Sequence, residues 1–236
     1  MSAISAAMIM AAGLGTRMGA LTRNTPKPML HLGGRPMLDH TLDHVVQAGL
    51  TRAVINLHYL GAQIEAHLSK KTEPEIRVSH EQPEILDTGG GIVQALPMLG
   101  AAPFCVLNSD AVFIGPNPVS VLLQHWQNTD ADALLLMIPT TDTIGYTRQG
   151  DFFLDGPIPR RRGNSAAAPF VYTGGQILRP EVFAGAPQGA FSTNVIWDKL
   201  LNAGRLEAVI YPGKWVDVGT PEGLAQAEAA LAAECE

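Results

Sequence analysis

The fold of this chain is decided by the segment Met10-Ala11-Ala12-Gly13-Leu14-Gly15-Thr16-Arg17-Met18, which Lys27 follows nine residues later. The apolar residues 7–10 predict a strand, and the two glycines predict that it ends in a tight turn. Backbone N–H groups in such a turn can point at phosphate oxygens, and glycine lets a ligand approach the main chain. Arg17 and Lys27 would add two positive charges, so the segment predicts a site for a polyphosphate.

Two common nucleotide motifs are excluded by their spacing. A dinucleotide-binding fingerprint needs a third glycine at the position that Met18 occupies. A Walker A loop needs the tripeptide Gly-Lys-Ser or Gly-Lys-Thr, which the chain lacks. A turn without a ligand would explain the glycines, but it would not explain Thr16, Arg17 and Lys27.

The composition sets further limits on the function. The 236 residues are enough for one large domain, and 16 basic against 22 acidic residues give a net charge of −6, which disfavours nonspecific binding of nucleic acid. We find no signal-peptide pattern and no apolar run long enough to span a membrane. The two cysteines, Cys105 and Cys235, do not form a disulfide framework. We therefore expect a cytoplasmic protein.

Strand-like and helix-like segments alternate through the first half of the chain. The predicted strands are 7–10, 53–57, 76–80, 104–108 and 133–138, and the predicted helices are 36–48, 61–68, 90–96 and 118–127. This alternation predicts an α/β fold, a Rossmann-like doubly wound and mostly parallel sheet with helices on both faces. From residue 139 to residue 169 glycine and proline become frequent, which predicts a small irregular insertion. Regular structure is expected to return with a segment at 169–178, a helix near 194–203, a strand at 206–211 and a final helix at 221–233.

The predicted arrangement is a single domain over residues 1–236 with two functional parts. Residues 1–138 and 206–236 would bind the nucleotide, and residues 139–205 would bind an acceptor.

Ligands of open α/β sheets bind beyond the carboxyl ends of the strands, so Asp110, after the strand 104–108, should share an edge with the glycine turn. Asp217 stands between two valines before a helix that Thr220 can cap. Two carboxylates at a polyphosphate are a usual way to hold Mg²⁺, although each alone is also compatible with a turn or a cap.

Five segments together resemble the nucleoside triphosphate:sugar 1-phosphate nucleotidyltransferases. They occur in that family's order and are Ala11-Ala12-Gly13-Leu14-Gly15-Thr16-Arg17-Met18, Thr25-Pro26-Lys27-Pro28-Met29-Leu30, Leu86-Asp87-Thr88-Gly89-Gly90-Gly91-Ile92, Asn108-Ser109-Asp110 and Trp215-Val216-Asp217-Val218-Gly219-Thr220. The chain looks most like the bacterial N-acetylmuramate 1-phosphate uridylyltransferases, and it is also similar to heptose and mannose 1-phosphate guanylyltransferases. The resemblance implies an Mg²⁺-dependent enzyme that makes a nucleotide sugar, with a role in peptidoglycan recycling.

The resemblance also implies a role for each matching residue. Arg17 would bind the β- and γ-phosphates, Lys27 would neutralise the α-phosphate, and Asp110 and Asp217 would hold Mg²⁺. The expected nucleotide-binding residues are Ala11, Ala12, Gly13, Gly15, Thr16, Arg17, Lys27, Glu81, Thr88, Gly89 and Asn108, and the expected sugar-binding residues are Gly145, Tyr172 and Gly174. The expected partners are a nucleoside triphosphate, which the resemblance implies to be UTP, and a sugar 1-phosphate, with neither nucleic acid nor membrane.

Several questions stay open at the level of sequence. A Glu-Lys-Pro segment that some relatives use for the acceptor is absent, and Arg160-Arg161-Arg162 stands in the expected region. These arginines could bind the sugar phosphate or form a solvated surface. A regulatory module that binds a nucleotide sugar without turnover is the alternative from a different class. The base, the sugar and the oligomeric state are not determined by the sequence.

Overall fold

A computed structural model describes residues 4–234 and contains six α-helices and fourteen strands in that range. The helices are α1 (Met37–Gln47), α2 (Gly61–Leu68), α3 (Asp87–Leu99), α4 (Pro118–Trp126), α5 (Asn194–Asn202) and α6 (Pro221–Glu234). The strands are β1 (Ala6–Met10), β2 (His31–Leu32), β3 (Arg35–Pro36), β4 (Arg52–Leu57), β5 (Glu75–His80), β6 (Phe104–Asn108), β7 (Ala111–Ile114), β8 (Ala133–Pro139), β9 (Thr143–Ile144), β10 (Phe152–Asp155), β11 (Ile158–Arg161), β12 (Phe170–Leu178), β13 (Leu206–Ile210) and β14 (Lys214–Asp217). Among these residues, no helix has both the length and the apolar character needed to cross a bilayer.

A nine-stranded, mostly parallel sheet forms the centre of the molecule. Strands β6, β1, β4 and β5 pair in parallel in that order, and β8 pairs in parallel with β13. Strand β12 joins the two groups, because it is antiparallel to both β6 and β8. The predicted α/β fold with a mostly parallel sheet is confirmed.

The sheet divides at β12. The end of β12 pairs with β6 through Gly175 to Leu178, while its first residue, Phe170, pairs with Phe152 of β10. Strand β8 occupies the other edge of β12 at both ends, with an irregularity between Tyr172 and Gln176. Strands β6 and β10 therefore lie on the same side of β12 and leave an opening between them, which we call the fork.

The stretch 139–169, which the sequence predicts to be irregular, contains regular structure, because β10 and β11 form an antiparallel hairpin within it. Strand β12, which follows and belongs to the main sheet, coincides with the predicted regular segment 169–178. Glycine and proline at the turns dominated the sequence pattern and hid the short strands between them. A further difference is that α3 begins at Asp87, earlier than the predicted start at Gly90.

Two apolar layers cover the faces of the sheet, and a third cluster lies beneath a small second sheet. Strands β7, β14 and β9 form this second sheet, on which α6 packs.

Cys105 lies on β6 in the main core, and its burial raises the pKa of the thiol to about 12, so it is held as an unreactive thiol. Cys235 lies outside the described residues.

Candidate active site

The carboxyl ends of the parallel strands open onto a cavity of about 420 Å³, which we call the loop cavity. The segment after β1 forms much of its wall, and the ends of β4, β5 and β6, the start of α3 and Gly219 contribute to the rest. Most of the residues predicted to bind the nucleotide line it, namely Ala11, Ala12, Gly13, Gly15, Thr16, Arg17, Lys27, Glu81, Thr88 and Asn108, and so does the predicted metal ligand Asp110. The structure therefore brings residues from distant parts of the sequence to one site.

The two glycines of the loop have different roles. Gly15 adopts a left-handed conformation (φ 65°), and a Cβ there would lie 3.0 Å from Cγ2 of Thr22 and 3.1 Å from Cβ of Lys27. The Thr22 hydroxyl donates a hydrogen bond to the Gly15 carbonyl at 2.9 Å, which fixes the turn. A Cβ on Gly13 would meet no protein atom within 4 Å, so Gly13 leaves bare backbone facing the space where a ligand would lie.

A buried polar network supports the start of the loop from behind. The N–H of Ala11 donates to Oδ1 of Asn56 at 2.8 Å, and Nδ2 of Asn56 donates to Oε1 of Glu81 at 2.6 Å. The other Glu81 oxygen accepts from the N–H of Leu86 at 2.7 Å, just before α3. Glu81 is fully buried. Its carboxylate is thus bonded within the protein and positions the loop through Asn56.

The two predicted metal ligands lie at one end of the second sheet. Asp217 is paired in register with Ala111, the neighbour of Asp110 in sequence. Each carboxylate contacts a cation: Lys27 forms an ion pair with Asp110, and Nη2 of Arg148 lies 3.4 Å from Asp217. The negative charge here is therefore large enough to attract basic side chains from two different loops.

These two aspartates fit a divalent metal ion only in combination with a ligand. Within residues 4–234, no group of three or more His, Cys, Asp or Glu side chains could hold a metal by itself. Mg²⁺ typically uses one or two carboxylates and completes its shell with phosphate oxygens and water. Asp110 and Asp217 supply this number of protein ligands beside a cavity suited to phosphates.

Arg17 reaches the same place because of a glycine. A Cβ on Gly219 would lie 2.7 Å from Nη1 of Arg17 and 3.1 Å from Oδ1 of Asp217. Gly219 also lines the loop cavity. A side chain there would displace the Arg17 guanidinium from the neighbourhood of Asp217, so Gly219 leaves room for Arg17, a role that the sequence analysis did not assign to it.

A second cavity of about 380 Å³ lies in the fork, and we call it the fork cavity. Met10, Thr88 and Asn108 line both cavities, so the two are adjacent. The remaining wall comes from the fork strands, the segment before α5 and α5 itself, and consists of Ile92, Val106, Gly150, Asp151, Phe152, Arg161, Arg162, Gly163, Tyr172, Gln176, Ser192, Thr193, Asn194 and Trp197. The predicted sugar-binding residue Tyr172 is among them.

The predicted metal ligand Asp217 and three of the predicted contact glycines line neither cavity. Gly89 packs against Phe191, Gly145 (φ 75°) packs against Asp217 and α6, and Gly174 (φ 90°) leaves room for the Asn108 side chain. A Cβ on Gly174 would lie 2.7 Å from Nδ2 of Asn108. In this structure these glycines shape the site by permitting close packing, and their direct contact with substrates stays a prediction.

Sequence reasoning missed several residues of the site. Asn56 lies near the carboxyl end of β4, and the rule that ligands bind at this edge of the sheet could have identified it. Arg148 carries no such signal, because it lies in the loop between β9 and β10 and reaches Asp217 only through the fold. The wall formed by Ser192, Thr193 and Asn194 likewise has no recognisable motif.

Comparison with known protein families agrees with this geometry. The MobA-like NTP transferase domain matches residues 7–180, nearly three quarters of the chain. The chain belongs to this family. This transferase is similar over almost its whole length to two curated relatives, each of which is covered to 96% of its own length. It is 39% identical to the N-acetylmuramate alpha-1-phosphate uridylyltransferase of Caulobacter vibrioides over 96% of the chain, and 34% identical to that of Neisseria meningitidis over 94%.

A solved structure supports the fold of the transferase. The chain superposes on UDP-glucose pyrophosphorylase complexed with UDP-glucose with a TM-score of 0.81, covering 98% of this chain and 100% of that one. The two are 18% identical, so this similarity concerns the fold alone. Together with the family match, it confirms the predicted nucleotidyltransferase. Members of this family generally use a divalent metal ion.

Proposed function

We propose that this transferase moves a uridine monophosphate group from UTP to N-acetylmuramate 1-phosphate and releases pyrophosphate. The observation that carries the proposal is the adjacency of the two cavities. The loop cavity combines exposed backbone with Arg17, Lys27 and Asp110, while the fork cavity opens beside it at Asn108. A triphosphate in the first and a sugar phosphate in the second would place their reacting atoms near this boundary.

The residues supply alignment and charge, which are the main requirements of phosphoryl-type transfer. A phosphate oxygen of the acceptor forms a new bond to the α-phosphorus, and the bond from that phosphorus to the bridging oxygen breaks. The electron pair leaves with pyrophosphate. Arg17 would balance the charge that grows on pyrophosphate, and Lys27 would balance the charge at the α-phosphate.

Asp110 and Asp217 would hold Mg²⁺. When bound, the ion would neutralise phosphate charge and favour the in-line arrangement of the reacting groups. Lys27 contacts Asp110 and lines the loop cavity, which supports a contact with the phosphates. Arg148 contacts Asp217 but lines neither cavity. Lys27 would exchange its carboxylate partner for a phosphate partner as the substrates bind, and Arg148 would release Asp217 to the metal ion.

The choice of base and sugar rests on the relatives. Both curated relatives named above carry uridylyltransferase and N-acetylmuramate in their names and match almost the whole chain. This supports UTP and N-acetylmuramate 1-phosphate as substrates and peptidoglycan recycling as the process. A cytoplasmic location would fit the two cysteines of the chain.

The test is release of pyrophosphate from a panel of substrates. UTP, GTP, CTP, ATP and dTTP would each be combined with N-acetylmuramate 1-phosphate, glucose 1-phosphate, mannose 1-phosphate and a heptose 1-phosphate, with and without Mg²⁺. We expect the highest kcat/KM with UTP and N-acetylmuramate 1-phosphate, and no turnover after chelation. A preference for GTP with mannose or heptose 1-phosphate would instead identify a guanylyltransferase. Binding of a nucleotide without pyrophosphate from any pair would indicate a regulatory module.

A further inference from the structure

One wall of the fork cavity is rich in hydrogen-bond donors and positive charge. Arg161 and Arg162, at the end of the β10–β11 hairpin, both line it. Arg161 is engaged, because it pairs with Asp198 at 2.8 Å and lies over the rings of Phe152 and Trp197. Arg162 has no carboxylate within ion-pair distance among residues 4–234, and its Nη1 donates only to the Ser165 carbonyl at 3.3 Å.

The start of α5 contributes to the same cavity. Thr193 is the residue before this nine-residue helix; it is 3% exposed, and its hydroxyl has no hydrogen-bond partner within the described residues. A buried hydroxyl without a partner costs free energy unless a ligand or water satisfies it. The N-terminus of a helix also favours negative charge. Both features indicate an anionic or strongly accepting group of a ligand at this wall.

This wall does not face the place where the reaction would occur. The reacting phosphate must approach Lys27 and Asp110, which line the loop cavity and not the fork cavity. Arg162 and Thr193 line the fork cavity and not the loop cavity. They would therefore contact a part of the acceptor other than its phosphate.

We infer that Arg162 and Thr193 form a subsite for a carboxylate substituent on the acceptor sugar. N-acetylmuramate differs from N-acetylglucosamine by a lactyl ether that ends in a carboxylate, and a guanidinium and a hydroxyl are suitable donors to it. The inference rests on the proposed function, since it concerns the acceptor of that reaction. It assigns a specificity role to one of the three consecutive arginines.

The backbone of both residues is anchored by hydrogen bonds beside the fork cavity. The N–H of Arg162 donates to the Asp151 carbonyl at 2.9 Å, and the neighbouring Arg161 is stacked on two rings. The N–H of Thr193 donates to the Thr88 hydroxyl at 2.9 Å, which ties it to the first turn of α3. Donors that are positioned in advance lose little entropy on binding.

The matched control for Arg162 lies in the same hairpin. Arg160 has the same charge, is exposed and stacks over Phe153, and it does not line the fork cavity. A variant Arg160→Ala therefore removes an equal charge from the hairpin without touching the proposed subsite. Arg162→Gln keeps hydrogen-bonding capacity but removes charge, and Thr193→Val replaces the hydroxyl with a methyl group of similar size.

The first experiment compares kcat/KM for N-acetylmuramate 1-phosphate and N-acetylglucosamine 1-phosphate in these variants. A charge-assisted hydrogen bond contributes about 1.5–3 kcal/mol, so Arg162→Ala should lower the value for the carboxylate-bearing acceptor about 10- to 150-fold. The value for N-acetylglucosamine 1-phosphate should change less than about twofold, as should both values in Arg160→Ala. Thr193→Val should act in the same direction as Arg162→Ala, with a smaller effect.

A second measurement is independent of turnover. Calorimetric titration with free N-acetylmuramate, which has no phosphate, should show binding that Arg162→Ala weakens and Arg160→Ala preserves. This titration keeps the subsite testable even if the panel of substrates yields no pyrophosphate. An equal loss for both acceptors in Arg162→Ala would assign this residue to the phosphate and overturn the inference. Unchanged discrimination in folded Arg162→Ala and Arg162→Gln, judged by their melting temperatures, would overturn it as well.

Discussion

At the scale of single residues, the site contains two ion pairs, each between an aspartate and a basic side chain. Asp110 and Asp217 each contact one basic side chain, Lys27 and Arg148 respectively. Lys27 is nearly buried, whereas Arg148 is 60% exposed in its side chain and is held also by the ring of Tyr146, 4.8 Å away. The Lys27 pair is therefore the better shielded from solvent, and the Arg148 pair should exchange more readily.

Replacing Asp110 by Asn should lower kcat roughly 10³-fold, because it removes one of the two carboxylates proposed to hold the metal ion and leaves Lys27 without its partner. Steady-state pyrophosphate release would measure the loss, and titration with UTP should show that the nucleotide still binds. Asp142→Asn is the control, since Asp142 is exposed and lines neither cavity. Activity of Asp110→Asn close to that of the unmodified protein would contradict the metal assignment.

Replacing Arg148 by Ala should increase the affinity of the UTP-bound protein for Mn²⁺, measured by electron paramagnetic resonance in the absence of the acceptor. Arg148 would compete with the proposed metal ion for Asp217. An exposed ion pair of this kind contributes about 0.2–1 kcal/mol, so the expected change is about 1.4- to 5-fold. The Mn²⁺ affinity of Arg148→Lys should lie between those of the unmodified protein and Arg148→Ala. An unchanged or weaker affinity in Arg148→Ala would show that Arg148 does not compete for this carboxylate.

At the scale of elements, the glycines at the start of α3 let the segment around Phe191, which precedes α5, pack closely against this helix. The N–H groups of Gly89 and Gly90 both donate to the carbonyl of Phe191, at 2.8 and 3.2 Å, and the Phe191 N–H donates to the Leu86 carbonyl. A Cβ on Gly91 would lie 2.5 Å from Oε1 of Glu81. The glycine run thus joins the wall of the fork cavity to the buried network behind the loop cavity.

Replacing Gly89 by Ala should destabilise the protein by about 1–3 kcal/mol, the usual cost of overpacking. The new Cβ would lie 2.8 Å from the Phe191 carbonyl oxygen and would also meet the Phe191 ring. Because the displaced segment carries Thr193, the KM for the acceptor should rise more than the KM for UTP. Urea unfolding and steady-state kinetics would measure both effects, and wild-type stability together with an unchanged acceptor KM would contradict this docking role.

At the scale of the whole molecule, the two ends of the sheet have different tasks. The carboxyl ends of the parallel strands contribute to the two cavities. At the opposite end of the sheet, ion pairs connect neighbouring strands. There Arg205 donates two hydrogen bonds to Asp132, at 2.9 and 3.0 Å, and Arg179 lies 3.5 Å from the same carboxylate. These residues flank β8, β13 and β12, so one ion cluster joins three strands across the antiparallel junction.

Replacing Asp132 by Asn should lower the free energy of unfolding at pH 7 by about 1 kcal/mol. Hydrogen bonds from Arg205 lower the pKa of Asp132 below its ordinary value of 3.8. A carboxyl with a lowered pKa in the folded state stabilises the protein above the unfolded-state pKa, and this contribution is lost as the pH falls through the folded-state pKa.

The difference between Asp132→Asn and the unmodified protein should therefore be constant near neutrality and shrink below about pH 4. Urea unfolding at a series of pH values would measure it, with Asp155→Asn in the exposed hairpin turn as the control. Since the cluster lies away from the cavities, KM values at pH 7 should not change. A difference in stability that persists undiminished in acid would contradict the role of this ion cluster.

The sequence by itself determined the features that depend on local pattern. The alternation of apolar strands and amphipathic helices predicted the parallel sheet, and the glycines after β1 predicted a turn at its carboxyl end. Asp110 follows β6, so its place on the same edge also followed from chain order. These features are local because the periodicity of the side chains and the backbone freedom of glycine act within a few residues.

Only the tertiary structure decided the features that join distant segments. The fork depends on the register of β12 against three strands, which no local pattern specifies because glycines and prolines interrupt the short strands around it. Arg148 and Asp217 are 69 residues apart, and Thr88 and Thr193 are 105 apart. Contacts over such separations follow from the packing of the whole sheet, and they determine which side chains line the two cavities.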